Sequence, residues 1–289
     1  CSTGLIPLNA IGVRIGSFLR NDQKAFPISL TSENVSNMCL IDENILILNN
    51  ESVYIYSPSG NELFSSVLSY SSPSVTVFED TAFVFGRGGK NYMIIKDNKL
   101  LYEGTTDSDI ICVQYGAKGN YAISTRSSEA TCVLTVYNKN HKPVFKWNCA
   151  HEHIARIALS PDGKYAAAAV MSAENGDVYT KVKFFGFNYK DELNSQTVSG
   201  ASAFDLVFTS SNTVTLFTDN GIYEVKKNSD KYDVVKEYYS SEFNSYSIAS
   251  NGKYCLCIAK YGSANVFEIS VFSKEGREKR TVSCDVEIK

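Results

Sequence analysis

The sequence lacks the features that mark membrane-spanning and nucleic-acid-binding chains. Its 289 residues contain no apolar run that approaches the roughly 18 to 20 residues a membrane-spanning helix needs. The formal net charge is -3 at pH 7, whereas proteins bind phosphate backbones through clustered Lys and Arg side chains. We therefore expect no membrane span within this chain and no nucleic acid as its partner.

Histidine is also scarce, and the cysteines show no regular spacing. Of the 3 His, His141 alone lies away from the neighbourhood of His151 and His153, so an imidazole general base is missing elsewhere. The 8 Cys are spaced irregularly, unlike the disulfide framework of a small secreted domain. Four of them lie within apolar strand patterns and are expected to be core residues, the last two of them unpaired: Cys39, Cys112, Cys255 and Cys257.

Long helical stretches rich in Leu, Ala, Glu and Lys are absent, and the residues that are abundant favour strands. The chain has 18 Tyr and 16 Phe, a balance typical of an all-β domain. Its clearest element is IALSPDGKYAAAAVM, residues 157–171, in which two apolar runs flank a Ser-Pro-Asp-Gly turn. This pattern predicts a β-hairpin.

Weaker copies of this hairpin recur along the chain, at residues 38–49, 75–86, 112–125, 206–218 and 246–259. Corresponding residues after the six turns lie 38, 38, 44, 49 and 40 positions apart. This period is typical of the four-stranded blades of a β-propeller. Each copy is followed by a more alternating and more charged hairpin, as expected for outer strands with one solvated face.

A further outer hairpin at residues 13–30 has no inner hairpin of its own. Because a propeller closes its ring and avoids a long open edge, residues 5–30 and 285–289 are predicted to share a closing blade. The prediction is one domain over residues 1–289, an all-β, seven-bladed propeller of four-stranded antiparallel blades. The six further blades are expected to start near residues 35, 74, 110, 154, 203 and 246. The alternative is two stacked β-sandwiches, which share alternating strands and turn spacing.

Two kinds of resemblance support the propeller. The turns SPDGKY at residues 160–165 and SNGKY at 250–254 resemble those of WD40-like and TolB-like propellers, where Asp or Asn caps the turn and Gly takes positive φ. A longer series resembles, in order and spacing, an uncharacterised family of WD40-like propellers from Gram-positive, largely clostridial, bacteria: FPISL, VYIYSPSGNELFS, FGRGGKNYMI, NYAIST, VYNKN and ALSPDGKYAA. That family has no established activity, so the resemblance implies no catalytic residues.

The expected location is outside the cytoplasm, at the bacterial cell surface. The family resemblance implies display behind an N-terminal membrane anchor. Residue 1 is Cys rather than Met, which is interpreted either as the lipid-bearing residue of a lipoprotein or as the point where an upstream signal or anchor helix was removed. Both interpretations predict a membrane-anchored, extracytoplasmic protein.

Ligands of propellers usually meet the loops that leave the second strand of each blade or join one blade to the next, around the mouth of the channel. Such loops are expected at residues 86–91, 107–109, 126–130, 149–153, 172–179 and 260–265. They supply Arg126 and most of the other candidate ligand-binding residues. The segment 172–177 is the longest and the most tolerant of functional elaboration.

Charged candidates in these loops each have a plainer interpretation. Arg87 and Lys90 flank two glycines and could bind a carboxylate or phosphate, or be solvated charges of a tight connection. Two carboxylate pairs could bind Ca²⁺ or cleave a glycoside, or be ordinary loop charges: Asp107 with Asp109, and Glu174 with Asp177.

The other candidate residues are metal-ligating or aromatic side chains. Cys149, His151 and His153 alternate, so an extended segment would point all three one way, toward a Zn²⁺ ion; an ordinary inter-blade loop is favoured, and no metal or other cofactor is predicted. Trp147 and Tyr261 could stack on a sugar or on a partner side chain, although a Trp at a strand end more often packs between blades.

The predicted function is a non-catalytic, extracytoplasmic binding module that recognises a protein, peptide or cell-envelope polymer through its loop face. The alternative is an extracytoplasmic carbohydrate hydrolase or lyase that uses Asp107, Asp109, Glu174 or Asp177. Convergence of those carboxylates in a deep channel favours the enzyme. A purely structural spacer is a third hypothesis.

Overall fold

The structure, a computed structural model, describes residues 35–228, 231–238, 243–249, 253–259, 266–273 and 278–284. In these ranges the chain forms six antiparallel sheets of four strands, each strand pairing with the next. The predicted all-β architecture of four-stranded antiparallel blades is therefore confirmed. Among the described residues, no helix is both long and apolar enough to cross a membrane.

The blades follow one another in chain order. Blade 1 contains β1 (Val35–Ile41), β2 (Asn44–Asn49), β3 (Ser52–Tyr56) and β4 (Glu62–Val67), and blade 2 contains β5 (Pro73–Phe78), β6 (Thr81–Gly86), β7 (Asn91–Lys96) and β8 (Lys99–Thr105). Blade 3 contains β9 (Ile110–Tyr115), β10 (Tyr121–Arg126), β11 (Cys132–Tyr137) and β12 (Pro143–Cys149).

The second half of the chain forms the other three blades. Blade 4 contains β13 (His153–Leu159), β14 (Tyr165–Glu174), β15 (Asp177–Gly186) and β16 (Asn194–Ser199). Blade 5 contains β17 (Ala203–Ser210), β18 (Thr213–Thr218), β19 (Gly221–Asn228) and β20 (Lys231–Tyr238), and blade 6 contains β21 (Phe243–Ile248), β22 (Tyr254–Ala259), β23 (Phe267–Phe272) and β24 (Glu278–Cys284). The chain divides into two compact units, the first ending at Ile110 and the second starting at Ile111.

The predicted number of blades is wrong, because the described residues form six blades and not seven. Every inner hairpin pairs with the outer hairpin that follows it, so each sheet is complete without a strand from a chain end. The extra blade was inferred from an alternating pattern, which indicates a strand with one solvated face but not its pairing. Residues 5–30 and 285–289, assigned to that blade, lie outside the described residues.

The Ser-Pro-Asp-Gly segment forms the predicted turn between β13 and β14. The Ser160 hydroxyl donates to Asp162 Oδ1 at 2.6 Å and accepts from the Tyr165 amide at 2.9 Å. Gly163 takes φ +72° and donates to the Ser160 carbonyl at 2.9 Å. These contacts are the local hydrogen bonds that close a turn, so the motif marks a connection between strands.

Four consecutive alanines make β14 the centre of the packing around blade 4. Residues 166–169 are all fully buried. Ala166 and Ala168 belong to a cluster with Phe185 and blade 3 residues, whereas the alternate alanines pack with Leu206 of blade 5. Small side chains allow neighbouring sheets to approach this strand closely from both faces.

Candidate functional site

Blade 4 carries a hairpin that runs past its neighbouring strands. β14 and β15 are each 10 residues long. Pairing with β13 ends at Met171, and pairing with β16 ends at Tyr179. Residues 173–178, here called the blade-4 extension, therefore form a two-stranded tip without a strand on either side.

The extension replaces the loop that was predicted over residues 172–179. Glu174 and Asp177 are Cα partners across a two-residue turn, in which Asn175 and Gly176 take φ of +53° and +90°. Positive φ at both central residues is the geometry that suits tight hairpins. The side chains of Glu174, Asp177 and Val178 are exposed, so the two carboxylates stand on a projection and do not line a cleft.

One face of β15 carries alternating residues from the core out toward the extension. Phe185 is fully buried and its ring lies 4.8 Å from that of Trp147. The Lys183 ammonium lies 5.5 Å from the Trp147 ring, and the Lys181 ammonium lies 4.7 Å from the Tyr179 ring. Cation–π contacts of this kind fix long side chains against aromatic surfaces.

Glu152 joins these lysines to the connection between blades 3 and 4. Its side chain is 13% exposed, and its carboxylate lies 3.3 Å from Lys181 and 3.9 Å from Lys183. Lys183 also pairs with Glu192 at 2.8 Å. Burial disfavours the charged form of Lys181, but its hydrogen bond and attraction to Glu152 outweigh that effect and raise the pKa of Lys181. We call Trp147, Glu152, Tyr179, Lys181 and Lys183 the blade 3–4 platform.

The structure places six predicted residues on blades 3 and 4, of which Arg126 ends β10 and is described below. Trp147 belongs to the platform, His151 lies in the connection that carries Glu152, and His153 is the first residue of β13. Glu174 and Asp177 lie in the extension. The sequence interpretation missed Glu152, Tyr179, Lys181 and Lys183. The alternation Tyr-Thr-Lys-Val-Lys-Phe-Phe over residues 179–185 was the available signal, because it puts the aromatic residues and lysines on one face.

The predicted orientation of Cys149, His151 and His153 toward one point is not seen. The chain bends at residues 150–152, so the alternation of an extended strand is broken there. Cys149 is fully buried, whereas both histidines are exposed. Among the residues that the structure describes, no group of three His, Cys, Asp or Glu side chains could hold a metal ion.

The remaining predicted residues lie in other connections. Arg87 and Lys90 are exposed after β6, where Gly88 donates to the Ile110 carbonyl at 2.9 Å and thereby ties this turn to the connection that holds Asp107 and Asp109. The Gly89 amide donates to Gly86, so neither glycine amide faces a ligand. No ion pair joins the two cations to the two carboxylates within the described ranges. Arg126 is exposed at the end of β10, and Tyr261 lies outside the described residues.

A second cluster of polar side chains, Arg156, Asp205 and Tyr246, links the inner strands of blades 4, 5 and 6. Asp205 accepts hydrogen bonds from the Leu206 amide at 2.8 Å and from the Tyr246 hydroxyl at 3.0 Å. Arg156 donates through Nε to the Phe204 carbonyl at 2.6 Å. Burial among these strands raises the pKa of Asp205, and the hydrogen bonds and the charge of Arg156 only partly offset that effect.

The raised pKa of Asp205 predicts a pH dependence of stability. Above the ordinary carboxyl pKa of about 4, the folded protein keeps a proton that the unfolded chain has lost, so the free energy of unfolding falls as pH rises toward the raised value. Asp205→Asn removes this loss, which amounts to about 1.4 kcal/mol for each pH unit between the folded and unfolded pKa values. Denaturant unfolding of both proteins between pH 4 and 7 measures it. Asp107→Asn, which changes an exposed carboxylate, is the control. If the free energy of unfolding of wild type and of Asp205→Asn changes with pH in the same way, the assignment is wrong.

The four-stranded blades define the chain as a β-propeller, and solved WD40 domains share its fold. It is similar to the WD40 domain of Pan2 from Neurospora crassa, with 12% identity, a TM-score of 0.55 and coverage of 77% of this chain and 71% of that one. It is also similar to the β-propeller domain of Cps50 (Swd1) from Myceliophteria thermophila, with 9% identity, a TM-score of 0.59 and coverage of 87% and 89%. A third similar structure, Raptor from Chaetomium thermophilum, has 8% identity and a TM-score of 0.62; the match covers 91% of this chain but 26% of Raptor.

The chain belongs to DUF5711, a family of unknown function, whose sequence profile matches residues 23–289. Among curated protein sequences, no relative matches. The expected membership of an uncharacterised family with WD40-like blades is thus confirmed. The membrane anchor and the location outside the cytoplasm stay predictions, because neither the fold nor the family match tests them.

Proposed function

We propose that this protein is a non-catalytic binding module that recognises a polypeptide partner through the blade-4 extension and the adjoining platform. A β-propeller supplies a rigid scaffold, and its loops are the usual place for recognition. The observation that carries the proposal is the extension itself, because the β14–β15 hairpin continues after both neighbouring strands stop. The proposal keeps the extracytoplasmic location that the sequence resemblance implies.

The chemistry of the surface specifies the partner. Glu174 and Asp177 put two carboxylates on one face of the tip, and the exposed Val178 lies on its opposite face. Tyr179, at the base, supplies an aromatic face next to the Lys181 ammonium. Such a surface complements a polypeptide segment that carries Lys or Arg next to an apolar side chain, since charged groups set orientation while buried aromatic contacts supply affinity.

The carbohydrate hydrolase is the less favoured function. General acid and base carboxylates of a glycosidase flank the bond that they cleave, inside a site that holds the sugar. Glu174 and Asp177 are exposed on a projecting tip, where they cannot enclose a sugar ring between them. Asp107 and Asp109 lie together in the connection from β8 to β9. They are one pair of charges in the same loop and do not flank a space for a sugar.

Charge reversal of the tip tests the proposal. The tagged chain, the variant Glu174→Lys/Asp177→Lys and a control, Glu103→Lys/Asp191→Lys, are incubated with detergent extracts of the cells that make the protein, and the captured polypeptides are quantified. The control changes the net charge equally at exposed positions on β8 and beyond β15. We expect a polypeptide whose capture by wild type and control falls by about tenfold or more with the tip variant.

Equal capture by the tip variant and the control, or no polypeptide above background for any of the three, would rule out recognition through the extension. Because both carboxylates are exposed, the substitutions should leave the fold intact. Fluorescence of Trp147, the 1 Trp of the chain, checks this, since the indole packs on Phe185 in the platform.

A further inference from the structure

We infer that Cys132 and Cys149 form a redox-active dithiol that closes to a cross-strand disulfide when it meets a small disulfide such as oxidised glutathione. Cys132 is the first residue of β11 and Cys149 the last residue of β12. The two residues are direct Cα partners in the antiparallel ladder. The pair therefore sits where the ladder ends, next to the connection that carries Glu152.

The geometry of the pair fits a disulfide. Directly opposite residues of antiparallel strands have Cα atoms about 4.5 or 5.5 Å apart, and disulfides span Cα separations of about 4.4 to 6.8 Å. Both thiols donate to the same acceptor, the Glu152 carbonyl, at 3.6 Å from Cys132 and 3.2 Å from Cys149. Both side chains thus converge on one point.

Three other cysteines of the described strands lie opposite residues of other types. Cys39 lies opposite Leu46, Cys255 lies between Ser247 and Val271, and Cys257 between Ser245 and Ile269. Burial raises the pKa of Cys39 to about 12, so that thiol stays protonated and unreactive at neutral pH. Of the four cysteines expected in the core, Cys257 is buried, whereas Cys39, Cys112 and Cys255 are only partly buried.

The order of the exchange reaction follows from the different pKa values of the two thiols. A hydrogen bond that the Cys149 thiol donates to the Cys132 thiolate outweighs burial and lowers the pKa of Cys132 to about 7, while the same pairing and burial raise the pKa of Cys149. Both thiols are fully buried, so the exchange proceeds when the end of the β11–β12 ladder opens locally. The Cys132 thiolate then attacks one sulfur of the external disulfide, breaks its S–S bond and releases one thiolate. The Cys149 thiol then loses its proton and attacks the Cys132 sulfur of the mixed disulfide, which releases the second thiolate. Two protein thiols are oxidised, one external disulfide is reduced, and both protons end on the released thiols.

Closure removes two hydrogen bonds from the connection between blades 3 and 4. The Glu152 carbonyl accepts from both thiols, and neither sulfur of a disulfide can donate. Glu152 also supplies the carboxylate that pairs with Lys181. Oxidation is therefore expected to move the Glu152 side chain and alter the platform, a consequence that rests on the proposed function.

Mass spectrometry of the whole folded chain tests the inference. The reduced protein is incubated with excess oxidised glutathione, quenched with acid, alkylated with N-ethylmaleimide in denaturant and digested without reduction. We expect a linked peptide pair that contains Cys132 and Cys149, about 2 Da lighter than the two thiol peptides together. The Cys149→Ser variant should instead keep glutathione on Cys132, and the control Cys39→Ser should form the linked pair like wild type.

Full alkylation of Cys132 and Cys149 after this treatment, or a lasting glutathione adduct on Cys132 of the wild-type chain, would overturn the inference. The readout is a covalent bond in the purified chain and needs no partner. Failure of the reduced protein to bind through the extension would therefore count against the proposed function alone.

Discussion

Phe185→Ala is expected to lower the free energy of unfolding by about 3 to 5 kcal/mol, the usual cost of truncating a buried aromatic side chain to Ala. Phe185 is fully buried, and its ring lies 5.6 Å from Phe145 and 4.8 Å from Trp147. It joins the outer hairpin of blade 3 to the core of blade 4. Its removal leaves a cavity that the flanking strands cannot fill, because both are fixed by their ladders.

The measurement is denaturant unfolding followed by the fluorescence of Trp147. Since Phe185 packs on the indole, the variant should also shift the emission of the folded protein to longer wavelength. Phe187→Ala is the matched control, because Phe187 is only partly buried and also contacts Phe145, at 5.8 Å. It should cost about 1 to 2 kcal/mol, and equal losses for the two variants would contradict the special role of Phe185.

The strands of blade 4 were predictable from sequence, whereas the length of its central hairpin was not. The two apolar runs that flank residues 160–165 and the turn chemistry of Asp162 and Gly163 identify the β13–β14 hairpin, since both signals are local. In the sequence, the polar residues Glu174 and Asp177 are as typical of a loop as of the tip of a hairpin. Only the register between β14 and β15 distinguishes the two.

The platform escaped prediction for a related reason. Glu152 and Lys181 are 29 positions apart in the sequence, and no local pattern brings them together. Their contact depends on the bend at residues 150–152 and on the packing of blade 3 against blade 4. The number of blades failed similarly, because the alternation in residues 13–30 says which face of a strand is solvated but not which strand it pairs with.

Shortening the extension is expected to weaken partner binding by about thirtyfold or more while the fold is retained. Replacing residues 173–178 with Asn-Gly joins Ser172 to Tyr179 through a two-residue turn, the loop that best suits a tight hairpin. Ser172 and Tyr179 are already Cα partners, and the ladders to β13 and β16 end at Met171 and Tyr179. The change therefore removes Glu174, Asp177 and Val178 but leaves every strand of blade 4 paired.

The loss should exceed that caused by charge reversal, because the apolar and backbone surface of the tip disappears together with its charges. Removing the central contacts of an interface commonly costs 2 kcal/mol or more, about thirtyfold in affinity. An unchanged midpoint of denaturant unfolding and unchanged Trp147 emission show that the shortened chain is folded.

The most direct test of the account is to compare the affinity of the captured polypeptide for the wild-type and the shortened chain, both with Cys132 and Cys149 reduced. The account predicts a dissociation constant raised about thirtyfold or more for the shortened chain. A dissociation constant equal to that of wild type, measured on a shortened chain with wild-type unfolding and fluorescence, would contradict recognition through the blade-4 extension.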